Sequence, residues 1–531
     1  MRNKIIFIFL FIFFSSLNCE FYSINRNIPY KCVIDSDPRF STLLNLTPIN
    51  DSIFHEHDRR LDSDGFKKFN IFFDNSNLEE EMKIYNLTTY KNLFIDSMEK
   101  AIETLESLLR VRIAGCYIFT DQHIKRISIN YWDKTKFGTE AAIQGISTCT
   151  LDIDLIIFAK IEQFDPSTLA LGAAQYVETN TRRPVVGLLY INSLVDYSKI
   201  NSNEYFQSII IHELTHVLGF SGTFFENVYH NIFKATDKFN INRTYLNSSK
   251  VIEVAKKYYN CPDVKGIELE DFGTQTTVGS HWEGRILLGD YMNGYIYPEE
   301  QVISEFTLAL LEDSGFYKAN YYTGGLMRYG KNKGCKFLTE QCINNSKINP
   351  FFENEFYDFF NTKSLISPSC TSGRQSRTYY ALAFYKSIPK YYQYFSNSSW
   401  GGLSSADYCP VAMEIDDEIN YRYFIGHCSK KGSGKYGNII GYRENNSSNI
   451  SYYKNEELED VTGETYSNHS FCFLSSLKKK NESNINLSTN NFNFRAICYE
   501  IFCSSKSLTI KIHDNYIVCP RAGGKIQINE Y

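Results

Sequence analysis

Apolar residues along this chain fall into distinct periodicities, and each predicts a different element. The first is an unbroken apolar run, Ile5 to Phe14, preceded by Arg2 and Lys4 and followed by Ser15, Ser16, Leu17, Asn18 and Cys19. A membrane-spanning helix needs about 20 apolar residues, so the run is too short to span alone. Its basic start and its small or polar finish predict a secretory signal over residues 1–19. Residues 20–85 are polar and weakly periodic, acidic around Glu79–Glu81, and read as a pro-region or irregular leader. From Tyr90, apolar residues recur at Leu93, Ile95, Met98, Ile102, Leu105, Leu108 and Leu109. That spacing predicts a long amphipathic helix through YKNLFIDSMEKAIETLESLLRV. The short runs Leu151–Ala159 and Val185–Asn192 are apolar and partly β-branched, which predicts strands. Helical spacing returns in SLVDYS and in NSNEYFQSIIIHELTHVLGF, with Asn201 and Glu204 placed as a capping box. A mixed stretch follows to about residue 330, without any internal repeat.

Composition narrows the class without naming a function. At 531 residues, 43% apolar and 22% charged, the chain is globular and long enough for about three units. A net charge of −5 carries no basic excess that would argue for nucleic acid. No later stretch reaches membrane-spanning length, and the polar ending KIQINEY lacks the apolar tail of a lipid-anchor signal. There are fourteen cysteines, and nine of them lie between 335 and 519, predicting a loop-rich domain stapled by disulfides. Setting aside Cys19 in the signal and Cys32 in the leader leaves twelve, hence up to six bridges whose pairing spacing cannot give. Sequons at Asn45, Asn86, Asn242, Asn247, Asn344, Asn397 and Asn468 suit a secreted, glycosylated surface.

The candidate chemistry centres on His212-Glu213-Leu214-Thr215-His216. On a helix, residues four apart share a face one turn apart, so both imidazoles can reach one ion. Glu213 then sits beside them, placed to hydrogen-bond a water rather than to ligate. A catalytic zinc centre usually has three protein ligands. The position ten residues after His212 is Gly222, so the short form of such a site fails. Gly219, three residues after His216, is where a left-handed residue would end the helix and turn the chain. Candidates for the third ligand are His230, His281 and Glu253, and separation alone does not choose among them. His281 lies in GSHWEGR, followed by Asp290-Tyr291-Met292-Asn293-Gly294, and a methionine in a tight turn accompanies one class of zinc site.

HELTHVLGFS, then GSHWE, then the turn at Met292 resembles the leishmanolysin family, metzincins with a long insertion between the second and third ligands. The resemblance continues through Ile303–Tyr321, Gly330–Cys342, Ala406–Val411, Ser470–Ser476 and Cys498–Cys503, and covers about residues 90–525. It implies an α+β fold, with a metzincin-type catalytic region built on an active-site helix and a disulfide-rich mixed C-terminal domain. It implies one zinc ion on His212, His216 and His281, water activation by Glu213, and Met292 as the hydrophobic floor. The domain plan that follows is a signal at 1–19, a pro-region at 20–85 and a catalytic subdomain at 86–220 ending in the HExxH helix. After it come a central subdomain at 221–334 and the Cys-rich domain at 335–531.

By the same resemblance, VVGLLYIN (Val185–Asn192) would be the edge strand that pairs with an extended polypeptide substrate. Cys32, in YKCVIDSD, would be a pro-region switch at the fourth zinc position, although Lys31 and Ile34 stand where the family pattern has histidines. A further departure is Gly172–Pro184, which has no cysteine where relatives often carry one. The implied function is a secreted zinc metalloendopeptidase. The alternative is an inactive secreted or surface adhesion protein on the same fold, and the completeness of the motif set favours the enzyme.

Overall fold

The computed structural model describes residues 64–112, 153–321, 327–349, 369–414, 463–475 and 495–519 apart from short gaps, together with short strands and turns elsewhere. The signal segment, Cys32 and the Asn201 end of the capping box lie outside the described residues. Two compact units divide the chain: Pro29–Tyr297 with Gln301–Leu326, and Met327–Tyr531 with short pieces from elsewhere.

The first unit is built on a five-stranded sheet. Its strands are β1 (Leu44–Leu46), β2 (Ile71–Asp74), β3 (Leu155–Glu162), β4 (Ala170–Glu178) and β5 (Pro184–Asn192), in the order β1-β4-β5-β3-β2. β5 runs parallel to β3 and antiparallel to β4, while β1 and β2 run parallel to their neighbours. The run expected to be an edge strand is therefore central, hydrogen-bonded on both sides. Its physical signature was already present: every residue of β5 is buried, and an unbroken apolar run is what a strand covered on both faces requires. The strand nearer the edge is β4, and among the described residues β1 pairs with its Tyr176–Glu178 end.

The stretch read as an irregular leader contributes regular structure. Besides β1 and β2 it supplies Phe66–Lys68, which pairs with Leu109–Arg112, and α1 (Leu78–Ile84). The helix expected from Tyr90 runs over Lys91–Leu108 (α2). Its expected last turn is strand instead, because Leu109–Val111 pair with Tyr317–Ala319. Such cross-strand pairing overrides a weak local preference.

α2 buries Phe94, Met98, Ala101, Ile102, Leu105 and Leu108 along one stripe. Each of the larger of these side chains contributes about 1.5–3 kcal/mol on burial. That stripe meets α3 (Asn203–Val217), with Phe94 and Phe206 rings 5.4 Å apart. α3 in turn lies against the sheet at two glycines. A Cβ on Gly172 would fall 2.2 Å from the Glu213 carbonyl oxygen, and one on Gly187 would fall 2.3 Å from Val217. Glycine at both positions lets helix and sheet approach this closely. α4 (Ser249–Tyr259) and α5 (Glu305–Asp313) complete the unit, packed through Tyr258 and Phe306. Among the described residues, no helix is long and apolar enough to cross a membrane.

The second unit carries an antiparallel four-stranded sheet, β6 (Ser470–Ser475), β7 (Arg495–Cys503), β8 (Leu508–Ile512) and β9 (Asn515–Val518). Disulfides join Cys342–Cys409, Cys370–Cys472 and Cys428–Cys498, and Cys261 and Cys335 are also disulfide-bonded. Cys503 and Cys519 are free thiols, so the twelve cysteines do not close into six bridges. They flank Leu508 from opposite neighbouring strands, too far apart to join without moving the sheet. The sequon asparagines Asn86, Asn242, Asn247, Asn344, Asn397 and Asn468 are all exposed.

Candidate metal centre

α3 delivers the first two imidazoles. His212 and His216 project one turn apart from a helix that is buried from Ile209 through Val217. The helix stops at Gly219, whose φ of +110° only glycine adopts without strain. There the Phe220 N–H bonds to the Thr215 carbonyl and the Gly219 N–H to the His216 carbonyl, closing the helix with a left-handed turn. The turn has a second effect. It returns the Phe220 carbonyl to His216, whose Nδ1 lies 2.5 Å from it.

The third imidazole arrives from beyond the insertion. His281, His212 and His216 present ring nitrogens that all lie within 4.8 Å of one another, and the three side chains are at most 1% exposed. The Nε2 atoms of His212 and His216 are 3.0 Å apart. Two nitrogens at zinc-bond lengths on neighbouring tetrahedral positions would stand about 3.3 Å apart, so the pair fits one such ion. His230 and Glu253, the other candidates, are exposed and do not join this group.

Carbonyl acceptors orient both helix rings. The Nδ1 of His212 is 2.5 Å from the Tyr291 carbonyl, as that of His216 is from Phe220. With Nδ1 carrying the proton, each ring turns its Nε2 lone pair toward the common point. Burial pushes the pKa of His212 well below its usual value, reinforced by the other two imidazoles; His216 is lowered likewise by burial and by His281. Neutral rings are the form that ligates. The donor set of three buried imidazoles fits zinc.

Glu213 is fully buried beside them. One carboxylate oxygen accepts the Gly172 N–H at 2.5 Å, while the other, Oε1, is buried without a hydrogen-bond partner. Burial raises its pKa well above the usual carboxylate value, and the Gly172 bond opposes that only in part. In the sequence Gly172 is marked only as the start of a segment lacking a cysteine. Nothing local marks it, because its neighbour is 41 residues away.

Met292 lies fully buried in a turn closed by the Asn293 N–H on the Asp290 carbonyl. Upstream, Tyr30–Lys31, immediately before Cys32, pair antiparallel with Tyr295–Ile296 beyond this turn. A second acidic grouping, Glu268, Asp271 and Glu283, is of a different kind. Arg243 bonds to Glu268 and Asp271, and Arg285 bonds to Glu268, which makes it an ion-pair network.

The family model described as leishmanolysin matches residues 95–531. The chain belongs to the leishmanolysin family. Leishmanolysin of Leishmania major is 28% identical over 267 residues, 49% of this chain and 40% of that protein. A leishmanolysin homolog of Crithidia fasciculata is 29% identical over 307 residues, 57% of this chain and 44% of the relative. In both, less than half of the relative's length is matched. A leishmanolysin-like peptidase of Caenorhabditis elegans is 24% identical over 540 residues, 81% of this chain and 79% of that protein. The chain is thus a member of a metallopeptidase family, as HELTHVLGFS and GSHWE imply.

Proposed function

We propose that this leishmanolysin-family chain is an exported zinc-dependent endopeptidase, with His212, His216 and His281 as ligands and Glu213 as general base. The observation that carries the reading is the convergence of three buried imidazoles within 4.8 Å, although 64 residues lie between His216 and His281. A zinc ion held there supplies Lewis acidity, acidifying a water and polarising a peptide carbonyl. The rest is the work of the chain's own groups. Gly172 fixes one oxygen of Glu213, leaving Oε1 to take the proton of the attacking water and pass it to the leaving amine nitrogen. A raised pKa suits that double duty, since the group must both accept and release a proton. Met292 forms the apolar floor under the rings.

A polypeptide substrate, in this reading, lies extended along the outer edge of β4, over Ala170–Gln175. There the Gly172 N–H on the Glu213 carboxylate sets the strand beside the general base. Export rests on the Ile5–Phe14 run together with the disulfides, which form in oxidising compartments. Cys32 is assigned as the pro-region switch, supported by the pairing of Tyr30–Lys31 close beyond the Met292 turn.

The test is cleavage of gelatin by the full chain with and without a chelator. Cleavage that the chelator abolishes and zinc restores is expected. Zinc-loaded, processed protein that cleaves nothing would instead support an adhesion protein on this fold. His281→Ala should lose stoichiometric zinc; unchanged zinc content would remove His281 from the site.

A further inference from the structure

Asp290 stands two residues before Met292 and is only 3% exposed. Its carboxylate accepts the Met292 N–H at 2.7 Å and the Thr307 hydroxyl at 3.0 Å, with further bonds from Ser304 at the start of α5. Burial raises its pKa to about 6, against the pull of those donors. The carboxylate is thus a buried charge held by hydrogen bonds and by no cation among them.

What it holds leads to the metal centre by two routes. Along the first, the turn it braces carries the Tyr291 carbonyl against His212 Nδ1, and the Tyr291 hydroxyl lies 2.9 Å from Thr215 on α3. Along the second, Thr307 receives the Trp282 indole N–H at 2.8 Å. The Trp282 backbone N–H bonds to the Met292 carbonyl at 3.0 Å, and Asn293 returns a side-chain N–H to the Trp282 carbonyl at 3.1 Å. Trp282 follows His281 directly. One carboxylate therefore ties the segment bearing the third imidazole to the turn that orients the first.

We propose that Asp290 is a positioning residue for the metal centre: with Thr307 it clamps the Met292 turn to the His281–Trp282 segment and so sets His281 relative to His212. This rests on the reading of the three histidines as ligands. An asparagine here keeps the shape but offers one acceptor oxygen where the carboxylate offers two to the N–H groups of Met292 and Ser304 and the hydroxyls of Thr307 and Ser304. One strand of the clamp then opens. Buried outer-neighbour changes of this sort lower metal affinity by about 10–100-fold.

The experiment measures zinc affinity of the full chain by competition with a chelating chromophore, and the visible spectrum after replacing zinc with cobalt(II). Asp290→Asn is expected to weaken zinc binding by about 10–100-fold and to shift the cobalt bands, with apo-protein circular dichroism like that of the parent. Thr307→Val, which removes the hydroxyl between Asp290 and the Trp282 indole at nearly constant volume, is expected to act in the same direction by a smaller factor, and decides the matter if Asp290→Asn does not fold. A parent that binds zinc stoichiometrically, beside variants with unchanged affinity and cobalt bands, would overturn the role of Asp290 alone. A parent that takes up no stoichiometric zinc would overturn the ligand reading and this one with it.

Discussion

The two compact units stabilise their interiors by opposite means. In the first, the histidines are held by neighbours that are not covalently joined: carbonyls of Tyr291 and Phe220, a glycine N–H on Glu213, and the hydrogen-bonded turn around Asp290. In the second, the innermost cluster is largely sulfur, with Cys370, Cys428, Cys472 and Cys498 packed around Ala496 and further apolar residues on the same sheet. A centre that must turn nitrogens toward one point is set by angles and tautomers, which directional hydrogen bonds provide. A loop-rich sheet has only to stay folded, and cross-links that restrict its unfolded state suffice.

Four changes probe that contrast, beginning with the most severe. Glu213→Gln should lower kcat by about 10²–10⁴-fold, with zinc content retained. Activity within tenfold of the parent would deny Glu213 its role. Replacing Cys370 and Cys472 together by alanine opens a loop of 102 residues and should reduce stability by about 4–5 kcal/mol in denaturant titration, without changing zinc affinity. Loss of zinc in that variant would show that the contrast between the units is false.

Gly172→Ala comes next. The added methyl meets the Glu213 backbone, and such overpacking costs about 1–3 kcal/mol. Because the displaced group carries the proposed base, the expected signature is a kcat that falls further than stability does. Equal losses would make Gly172 a packing residue only.

The smallest effect concerns Glu81 of α1, which accepts the Ile161 N–H of β3. Burial, ahead of the opposing Ile161 bond and Lys160 and with help from Glu162 and Glu80, raises its pKa from 4.5 to about 7. The folded chain therefore keeps a proton that the unfolded chain releases between those values, and stability from this group is lost as pH rises through about 7. Glu81→Gln should flatten that slope, so that its melting temperature gains on the parent's between pH 5 and 8, as thermal scans would show. A parallel pair of curves would contradict the assignment.

What could be read in the residues divides along the range of the interactions. HELTH on a buried helix, the strand at Val185–Asn192 and the amphipathic stripe of α2 were legible because their signals lie within one element. Within the stretch before residue 86 the strand Ile71–Asp74 is not legible, since four residues carry too little periodicity to stand out. β4 went unnoticed for a related reason: GAAQYVE is small and mixed, and its role comes from lying under α3.

The amino-acid order by itself thus determined the pair of imidazoles, the carboxylate between them and the glycine that ends their helix, because a 3.6-residue repeat fixes those neighbours without help from elsewhere. Only the tertiary structure decided which of His230, His281 and Glu253 joins them, which strand borders the site, and how Gly172 and Asp290 reach it. Those are contacts between segments far apart in the chain, and their geometry depends on how helix and sheet pack, which no local pattern encodes.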